Sequence, residues 1–342
     1  NGVEVLLKDN PSLQADMVVL AIGVTPDTVL AKEASLELGI KESIVVNDRM
    51  ETSVPDIYAA GDAVQVKHYV TGNDALISLA GPANKQGRII ADNICGGDSR
   101  YLGSQGSSVI KVFDMTAATT GINETNAKKS GLEVDTVILS PMSHAGYYPG
   151  GKVMTMKVIF EKESYRLLGT QIIGYEGVDK RIDVLATAIH AGLKATQLKD
   201  LDLAYAPPYS SAKDPVNMAG FMIDNIAKGT LKQWHLEDMD KISRDKSVVL
   251  LDVRTVGEFN RGHMDGFKNI PVDELRERIN EIEKGKPVYL ICQSGLRSYI
   301  ASRILEGNGY ETYNFSGGFR FYDAVVNDRA LIEKAYACGM DY

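Results

Sequence analysis

One cysteine occupies a position where sulfur chemistry can be expected. The stretch VYLICQSGLRS places Cys292 directly after the apolar run 288–291, which predicts a buried strand. Open α/β sheets bind their ligands at the carboxyl ends of such strands. The next residues can curl so that successive N–H groups point inward, and a helix predicted to begin near Ser298 adds the positive end of its dipole. The predicted cradle consists of Gln293, Ser294, Gly295, Leu296 and Ser298.

The group that this loop would stabilise is a thiolate or a persulfide on Cys292. Arg297 adds a positive charge, and charge and dipole together favour the ionised, reactive thiol. Four residues separate Cys292 from Arg297. A loop one residue longer would suit a phosphate or arsenate ester, so the shorter loop favours sulfur. The alternative is a small buried cysteine at a strand end, which is the ordinary role of a single cysteine.

Composition limits the possible functions of the chain. Its 342 residues suggest two or three domains, and 44% apolar with 24% charged residues is the balance of a globular protein. The net charge of -8 argues against nucleic acid or a membrane surface as the main partner. No apolar run is long enough to span a bilayer. Three scattered cysteines predict neither a disulfide framework nor a metal site, and they favour the cytoplasm.

The hydrophobic pattern divides the chain into regions 1–100, 101–230 and 236–342. The first contains an apolar run, 17–22, that predicts a buried parallel strand. The second combines a predicted hairpin over 151–177 with a helix carrying apolar residues at 182, 185 and 189, an α+β arrangement. The third alternates short strands with helical segments, one of them predicted over 272–285, which indicates a parallel α/β sheet.

The third region resembles the rhodanese family. The stretches LLDVRTVGEFNRGHMDGFKNIPVDEL and GYETYNFSGGF are similar to the family's opening strand and its final strand with a Gly-Gly turn. The resemblance implies a doubly wound α/β domain in which Cys292 accepts a sulfane sulfur and passes it to a thiol. It implies structural roles for Asp252 and Arg254, and we assign His263 to structure as well.

The first region carries a second pattern, in the stretches TSVPDIYAAGDAV and AGPANKQGR. Gly61 lets the backbone approach a ligand closely, and Asp62 can accept hydrogen bonds from a sugar-like chain. The two stretches resemble the second FAD-binding segment of the pyridine nucleotide-disulfide oxidoreductases. The resemblance implies a Rossmann-like region that binds FAD and NAD(P)H. Asp62 would hold the ribityl and phosphate part, and the helix start would approach the flavin ring through Ala80, Gly81, Ala83 and Asn84.

The second region resembles the dimerisation domain of that family. The stretches TAATTGINE, HAGYYPGG and AYAPPYSSAKDPVN are similar to its CoA-disulfide reductase branch. The resemblance implies a homodimer formed through 101–230, with coenzyme A as substrate or bound ligand. Tyr147 and Tyr205 would reach the partner's flavin and redox cysteine, although Tyr148 stands next to Tyr147 and is an alternative. Without the resemblance, two interface aromatics would be the simpler interpretation.

Some of the family's features are not found in the sequence. We find no Gly-x-Gly-x-x-Gly fingerprint after a strand, and neither Cys95 nor Cys338 lies in the family's redox motif. We therefore expect the C-terminal portion of a longer flavoenzyme, partnered by its missing N-terminal half.

The expected activity is NAD(P)H-dependent reduction of disulfides or persulfides of coenzyme A or similar small thiols, joined to sulfur transfer by Cys292. The residues leave open CoA disulfide versus persulfide and NADH versus NADPH. The alternatives are an NADH oxidase or peroxidase of the same fold and a non-catalytic sulfur-binding module.

Overall fold

The computed structural model describes residues 2–335, and side chains through residue 328. The chain forms two compact units. Residues up to 104, apart from 69–71, belong to the first, and 69–71 join the remaining residues in the second. Cys338 lies outside the described residues. Within 2–335, no helix combines the length and apolarity that crossing a bilayer requires, and the cytoplasmic location stays a prediction.

The first unit is built from short elements. Its strands are β1 (Val3–Val5), β2 (Leu13–Ala15), β3 (Ile44–Val45), β4 (Val64–Lys67) and β5 (Asp74–Ala75), and its helices are α1 (Val29–Glu33) and α2 (Ala80–Ile94). Strands β3, β4 and β5 form one sheet, and β1 pairs with β2. A 3₁₀ turn, Gly61–Ala63, leads into β4. Gly96 follows α2 with φ +89°, the left-handed conformation in which a glycine commonly ends a helix.

The buried strand predicted over 17–22 is wrong. These residues form no regular element, and their apolar side chains face solvent: Leu20 is 82% exposed and Ile22 is 91% exposed. A buried parallel strand needs a hydrogen-bonded neighbour on each side and cover on both faces. Among residues 2–335, no strand lies beside this segment. Within the described residues, this apolar run therefore has no strand to pair with, despite the strand propensity of its residues.

The second unit begins with an antiparallel sheet of order β6-β7-β10-β9-β8. The strands are β6 (Ser108–Val112), β7 (Met115–Gly121), β8 (Val134–Leu139), β9 (Met154–Glu161) and β10 (Leu167–Gly174). The predicted hairpin is confirmed as the β9–β10 pair. Helices α3 (Glu124–Lys129), α4 (Val178–His190) and α5 (Pro215–Ala227) accompany this sheet. The predicted apolar stripe of α4 is buried in the core at Ile182, Leu185 and Ile189.

A parallel sheet of order β11-β15-β14-β12-β13 follows, as the sequence predicts. Its strands are β11 (Gln233–Trp234), β12 (Val249–Asp252), β13 (Lys268–Asn269), β14 (Val288–Ile291) and β15 (Thr312–Phe315). Its helices are α6 (Met239–Ile242), α7 (Val256–Arg261), α8 (Leu296–Glu306) and α9 (Gly318–Ala335). β14 lies in the middle of the sheet, so the residue after it is placed at the centre of the carboxyl edge.

The helix predicted over 272–285 is wrong, because this segment forms turns and one 3₁₀ turn, Ile279–Glu281. Leu275 and Ile282 are nevertheless buried in the core of the parallel sheet. The hydroxyl of Tyr310 lies within hydrogen-bond distance of the carbonyls of Ile279 and Ile282, at 3.2 and 3.1 Å, and can donate to either. Packing and these tertiary hydrogen bonds override the local helix propensity.

The two sheets of the second unit are joined at their edges. The Ser316 hydroxyl accepts from the Ile138 N–H of β8 at 3.0 Å, and the Gln233 amide donates to the Thr136 carbonyl at 3.3 Å. His235 Nε2 lies 3.2 Å from the Asp135 carboxylate, and this contact lowers the pKa of Asp135 against the opposing effect of burial. Ser316 immediately precedes the Gly317-Gly318 turn, so the junction lies close in sequence to the support of the cysteine loop.

Candidate functional site

The thiol of Cys292 lies at the carboxyl end of β14 and is almost enclosed, since the residue is 1% exposed. Its Sγ accepts hydrogen bonds from the Gly295 N–H at 3.1 Å and from the Ser298 hydroxyl at 3.2 Å. Gly295 is the N-cap of α8, with φ +99°, so the positive end of that helix faces the sulfur. The residue belongs to a buried apolar cluster, and these two donors give its sulfur the polar contacts that an anionic form requires.

The remaining predicted cradle residues shape the loop without donating to the sulfur in the described contacts. Ser294 and Leu296 are exposed, and the Gln293 carbonyl accepts from the Arg320 N–H at 3.1 Å. The turn Gly317-Gly318 packs against the loop that follows Cys292. The Phe319 N–H donates to the Cys292 carbonyl at 2.8 Å. A Cβ on Gly318 would lie 2.7 Å from the Gln293 carbonyl oxygen, so only glycine allows this approach.

The structure places Arg297 against a partner that was not predicted from the sequence. Its guanidinium forms two 2.7 Å hydrogen bonds with the carboxylate of Glu258. That carboxylate is held in place because it also accepts from Thr255 at the start of α7. The paired guanidinium lowers the pKa of Glu258 to about 2. The pKa of Arg297 is raised mainly by Glu258, and to a smaller extent by Cys292. Glu258 therefore offsets much of the charge that Arg297 could offer the sulfur.

Glu258→Gln is expected to favour the thiolate of Cys292. Gln still completes the capping box with Thr255, but it no longer neutralises Arg297. We expect the midpoint of thiol ionisation to move down by about half to one pH unit, since a nearby unpaired cation favours the anion. Titration of ¹³Cβ-cysteine by NMR measures this midpoint, and the exposed Cys95 is the internal reference. An unchanged or raised midpoint would contradict the assigned role of Glu258.

Acid should break the same ion pair by protonating Glu258, which removes the negative charge just as Glu258→Gln does. The folded pKa of Glu258 is about 2, below its ordinary value of 4.5. The stabilisation from the pair is therefore complete above about pH 4.5 and is lost as the pH falls toward 2.

Two of the three candidate tyrosines meet in the structure. The hydroxyls of Tyr147 and Tyr205 are 2.7 Å apart, and both side chains face solvent in the single chain, at 76% and 45% exposure. This hydrogen bond raises the pKa of Tyr205. Tyr148 instead packs edge-on against His144, with ring centroids 5.6 Å apart. Tyr147 is thus the residue that pairs with Tyr205, and His144 is a buried packing partner of Tyr148.

A buried arginine joins the two loops that carry these tyrosines. The guanidinium of Arg181, on α4, is 3.2 and 2.9 Å from the Asp214 carboxylate. It also donates to the Ser143 carbonyl at 2.9 Å and to the Ser210 hydroxyl at 3.1 Å. This network was not predicted from the sequence. A charge at position 181, four residues before the buried Leu185 on the same helix face, was the available indication.

Tyr147→Phe should bring the pKa of Tyr205 down toward its ordinary value, because the neighbouring hydroxyl is the main cause of its rise. Tyr148→Phe should leave the Tyr205 titration unchanged. NMR of ¹³Cζ-labelled tyrosine follows the ionisation of the assigned Tyr205 ring. A Tyr205 titration that Tyr147→Phe leaves unchanged would show that the hydroxyl pair does not persist in solution.

In the first unit, the predicted FAD residues gather at the start of α2. The Gly61 N–H donates to the buried Gln86 amide at 2.7 Å, and a Cβ on Gly61 would lie 3.9 Å from that of Ala83. Gly61 has φ +84°, and α2 has no side-chain cap at its N-terminus. Four of the predicted residues face solvent there: Asp62, Ala80, Gly81 and Asn84. An open main-chain surface beside a carboxylate fits the sugar-phosphate part of a dinucleotide.

Three family models match the chain. The pyridine nucleotide-disulphide oxidoreductase model matches residues 1–87, and the dimerisation domain model of the same family matches 107–215. The rhodanese-like domain model matches 235–324. The chain therefore carries two domains of the pyridine nucleotide-disulphide oxidoreductase family and a rhodanese-like domain. Both resemblances inferred from the sequence are thereby confirmed.

Two solved structures resemble this chain over more than nine-tenths of its length. The reduced CoADR-RHD of Bacillus anthracis is 47% identical, with a TM-score of 0.91, and the match covers 95% of this chain and 58% of that one. The NAD-dependent persulfide reductase of A. fulgidus is 42% identical, with a TM-score of 0.83, over 91% of this chain and 56% of that one.

A curated relative, the NAD(P)H sulfur oxidoreductase (CoA-dependent) of Pyrococcus furiosus, is 37% identical over 214 residues. The match covers 63% of this chain and 48% of the relative. The chain therefore spans about half the length of the curated relatives that it matches.

Proposed function

We propose that the rhodanese-like domain transfers sulfane sulfur through Cys292. The observation that carries this proposal is the pair of hydrogen bonds to Sγ, from the Gly295 N–H at 3.1 Å and the Ser298 hydroxyl at 3.2 Å. These donors would stabilise the thiolate that attacks the sulfur donor and the same thiolate when it leaves again as the sulfur is passed on. With thiosulfate as donor, the thiolate takes the outer sulfur and releases sulfite. A nucleophile such as cyanide then removes that sulfur as thiocyanate and restores the thiolate.

Thiocyanate formation from thiosulfate and cyanide tests the proposal on this chain. We expect turnover that saturates with thiosulfate and shows ping-pong kinetics, because sulfur transfer through a covalent intermediate has two half-reactions. A folded chain that binds thiosulfate without forming thiocyanate would favour the sulfur-binding module instead.

We further propose that the whole protein reduces disulfides or persulfides of coenzyme A or a similar small thiol. The support is the 2.7 Å contact between the Tyr147 and Tyr205 hydroxyls, since a phenol can donate to a leaving thiolate. A cavity of about 460 Å³ adjoins Tyr205 and is lined by His144, Lys180 and Tyr209, a size suited to small ligands. FAD, when bound, would supply electrons from NAD(P)H, and the residues around Gly61 and Asp62 would hold it.

This second proposal is tested on the full-length, FAD-loaded protein. NAD(P)H oxidation is measured separately with CoA disulfide, CoA persulfide and oxygen. We expect Tyr147→Phe to slow turnover of the sulfur substrates and Tyr148→Phe to leave it close to the unaltered rate. Rapid oxygen reduction without turnover of the sulfur substrates would favour an NADH oxidase.

We propose a homodimer formed through residues 101–230. The β6–β7 hairpin supports this, because it carries apolar side chains that are exposed in the single chain: Val109, Ile110, Val112 and Phe113. Sedimentation should show a dimer that Phe113→Asp weakens, while a monomer at high concentration would contradict the proposal.

A further inference from the structure

The carbonyl of Gly295 has more hydrogen-bond donors than it can accept fully. The Tyr299 N–H lies 3.0 Å from this oxygen, the Asn314 amide nitrogen 3.1 Å, and the Ser298 hydroxyl 3.1 Å. A carbonyl oxygen has two lone pairs. Three donors therefore compete for two positions directly beside the sulfur loop.

The Ser298 hydroxyl has a second acceptor, which is Cys292 Sγ at 3.2 Å. A serine carries one hydroxyl proton, so it can bond fully to the carbonyl or to the sulfur, but not to both. When Tyr299 and Asn314 fill the two lone pairs of the carbonyl, the hydroxyl proton is directed to the sulfur.

We propose that Asn314 is a positioning residue for sulfur transfer, and that it acts by directing the Ser298 proton onto Cys292. The inference rests on the proposed role of Cys292. Asn314 does not touch the sulfur in the described contacts. It lies on β15, where its backbone N–H donates to the Lys232 carbonyl at 2.9 Å. The strand thus holds the Asn314 side-chain amide next to the Gly295 carbonyl.

The other atom of the Asn314 amide supports this assignment. Its Oδ1 is buried and has no hydrogen-bond partner among the described residues. Leaving a buried polar atom unsatisfied costs stability, so the fold alone would favour an apolar side chain at this position. A use for the amide N–H at the Gly295 carbonyl explains why a polar residue stands there.

The experiment compares Asn314→Leu and Asn314→Ala with Ser298→Ala, alone and combined, in the whole chain. Leu is larger than Asn and Ala is smaller, so an effect common to both reports the lost donor. The readout is the midpoint of Cys292 ionisation from ¹³Cβ-cysteine NMR, with Cys95 as reference, and the melting temperature of each variant. We expect both Asn314 variants to raise the midpoint by about half to one pH unit, as loss of a donor to the anion requires.

Ser298→Ala should raise the midpoint at least as much, and adding an Asn314 change to it should have little further effect. This non-additivity is the mark of action through Ser298. A midpoint that Asn314 variants leave unchanged would overturn the proposal, whatever happens to the melting temperature. So would equal shifts with and without Ser298. The titration needs no turnover, so a chain that forms no thiocyanate would refute the proposed function while the role of Asn314 is still decided by the midpoint.

Discussion

Replacing Cys292 with serine should lower thiocyanate formation by roughly a thousandfold or more, because loss of a covalent nucleophile is among the largest single-residue effects in enzymes. A serine hydroxyl stays protonated near neutral pH and cannot carry a sulfane sulfur. The change is small in volume, and the hydroxyl would keep the two hydrogen-bonding neighbours of the thiol, so the fold should survive. Initial rates at saturating thiosulfate measure the effect.

Cys95 provides the matched control. It is an exposed thiol that follows α2 in the first unit, and it takes no part in the proposed transfer. Cys95→Ser should therefore retain the rate of the unaltered chain. Comparable losses in the two variants, or substantial activity left in Cys292→Ser, would contradict a specific sulfur carrier at position 292.

The second large effect is expected at the buried ion pair of the dimerisation domain. Asp214→Asn should destabilise the fold by about 3–5 kcal/mol, the usual result of leaving one buried charge without its partner. Side chains of Arg181 and Asp214 are 1% and 4% exposed, so water cannot replace the lost carboxylate. Asn still accepts from the Val216 N–H as the N-cap of α5, so the change isolates the lost charge. Calorimetry of the whole chain measures the loss.

Lys228→Gln is the control for this prediction. Lys228, the residue that caps the C-terminus of α5, pairs with Asp224, and its side chain is 62% exposed. Exposed pairs contribute at most about 1 kcal/mol, so this variant should melt close to the unaltered chain. The fluorescence of Trp234, the chain's single tryptophan, reports the rhodanese-like domain separately. An Asp214→Asn variant as stable as the control would contradict the role given to the Arg181 network.

Contacts that are local in sequence were predictable. The strand before Cys292, the glycine at 295 and the helix after it are contiguous, and their geometry follows from backbone rules that apply to any strand–loop–helix junction. The alternation of strands and helices likewise predicted the parallel sheet. Tyr147 and Tyr205 were named from the family resemblance alone. Neither that resemblance nor their spacing of 58 residues predicted the contact between their hydroxyls.

Contacts between distant residues were not predictable. Glu258 lies 39 residues before Arg297, and Asn314 lies 19 residues after Gly295, so the fold alone brings them to the loop. The apolar run 17–22 failed for a related reason, since a strand depends on neighbours that its own sequence does not specify. The local sequence pattern predicted the nucleophile, Cys292. The groups that adjust its protonation, Glu258 and Asn314, are brought to it by tertiary packing.

Sulfur transfer through Cys292 is tested most directly by the mass of the Cys292 peptide after the chain is incubated with thiosulfate, alkylated and digested. We expect one additional sulfur atom on Cys292, none on Cys95, and loss of that sulfur when cyanide is added before alkylation. An unmodified Cys292 peptide from a chain that is turning over thiosulfate, or the added sulfur on Cys95, would contradict transfer through Cys292.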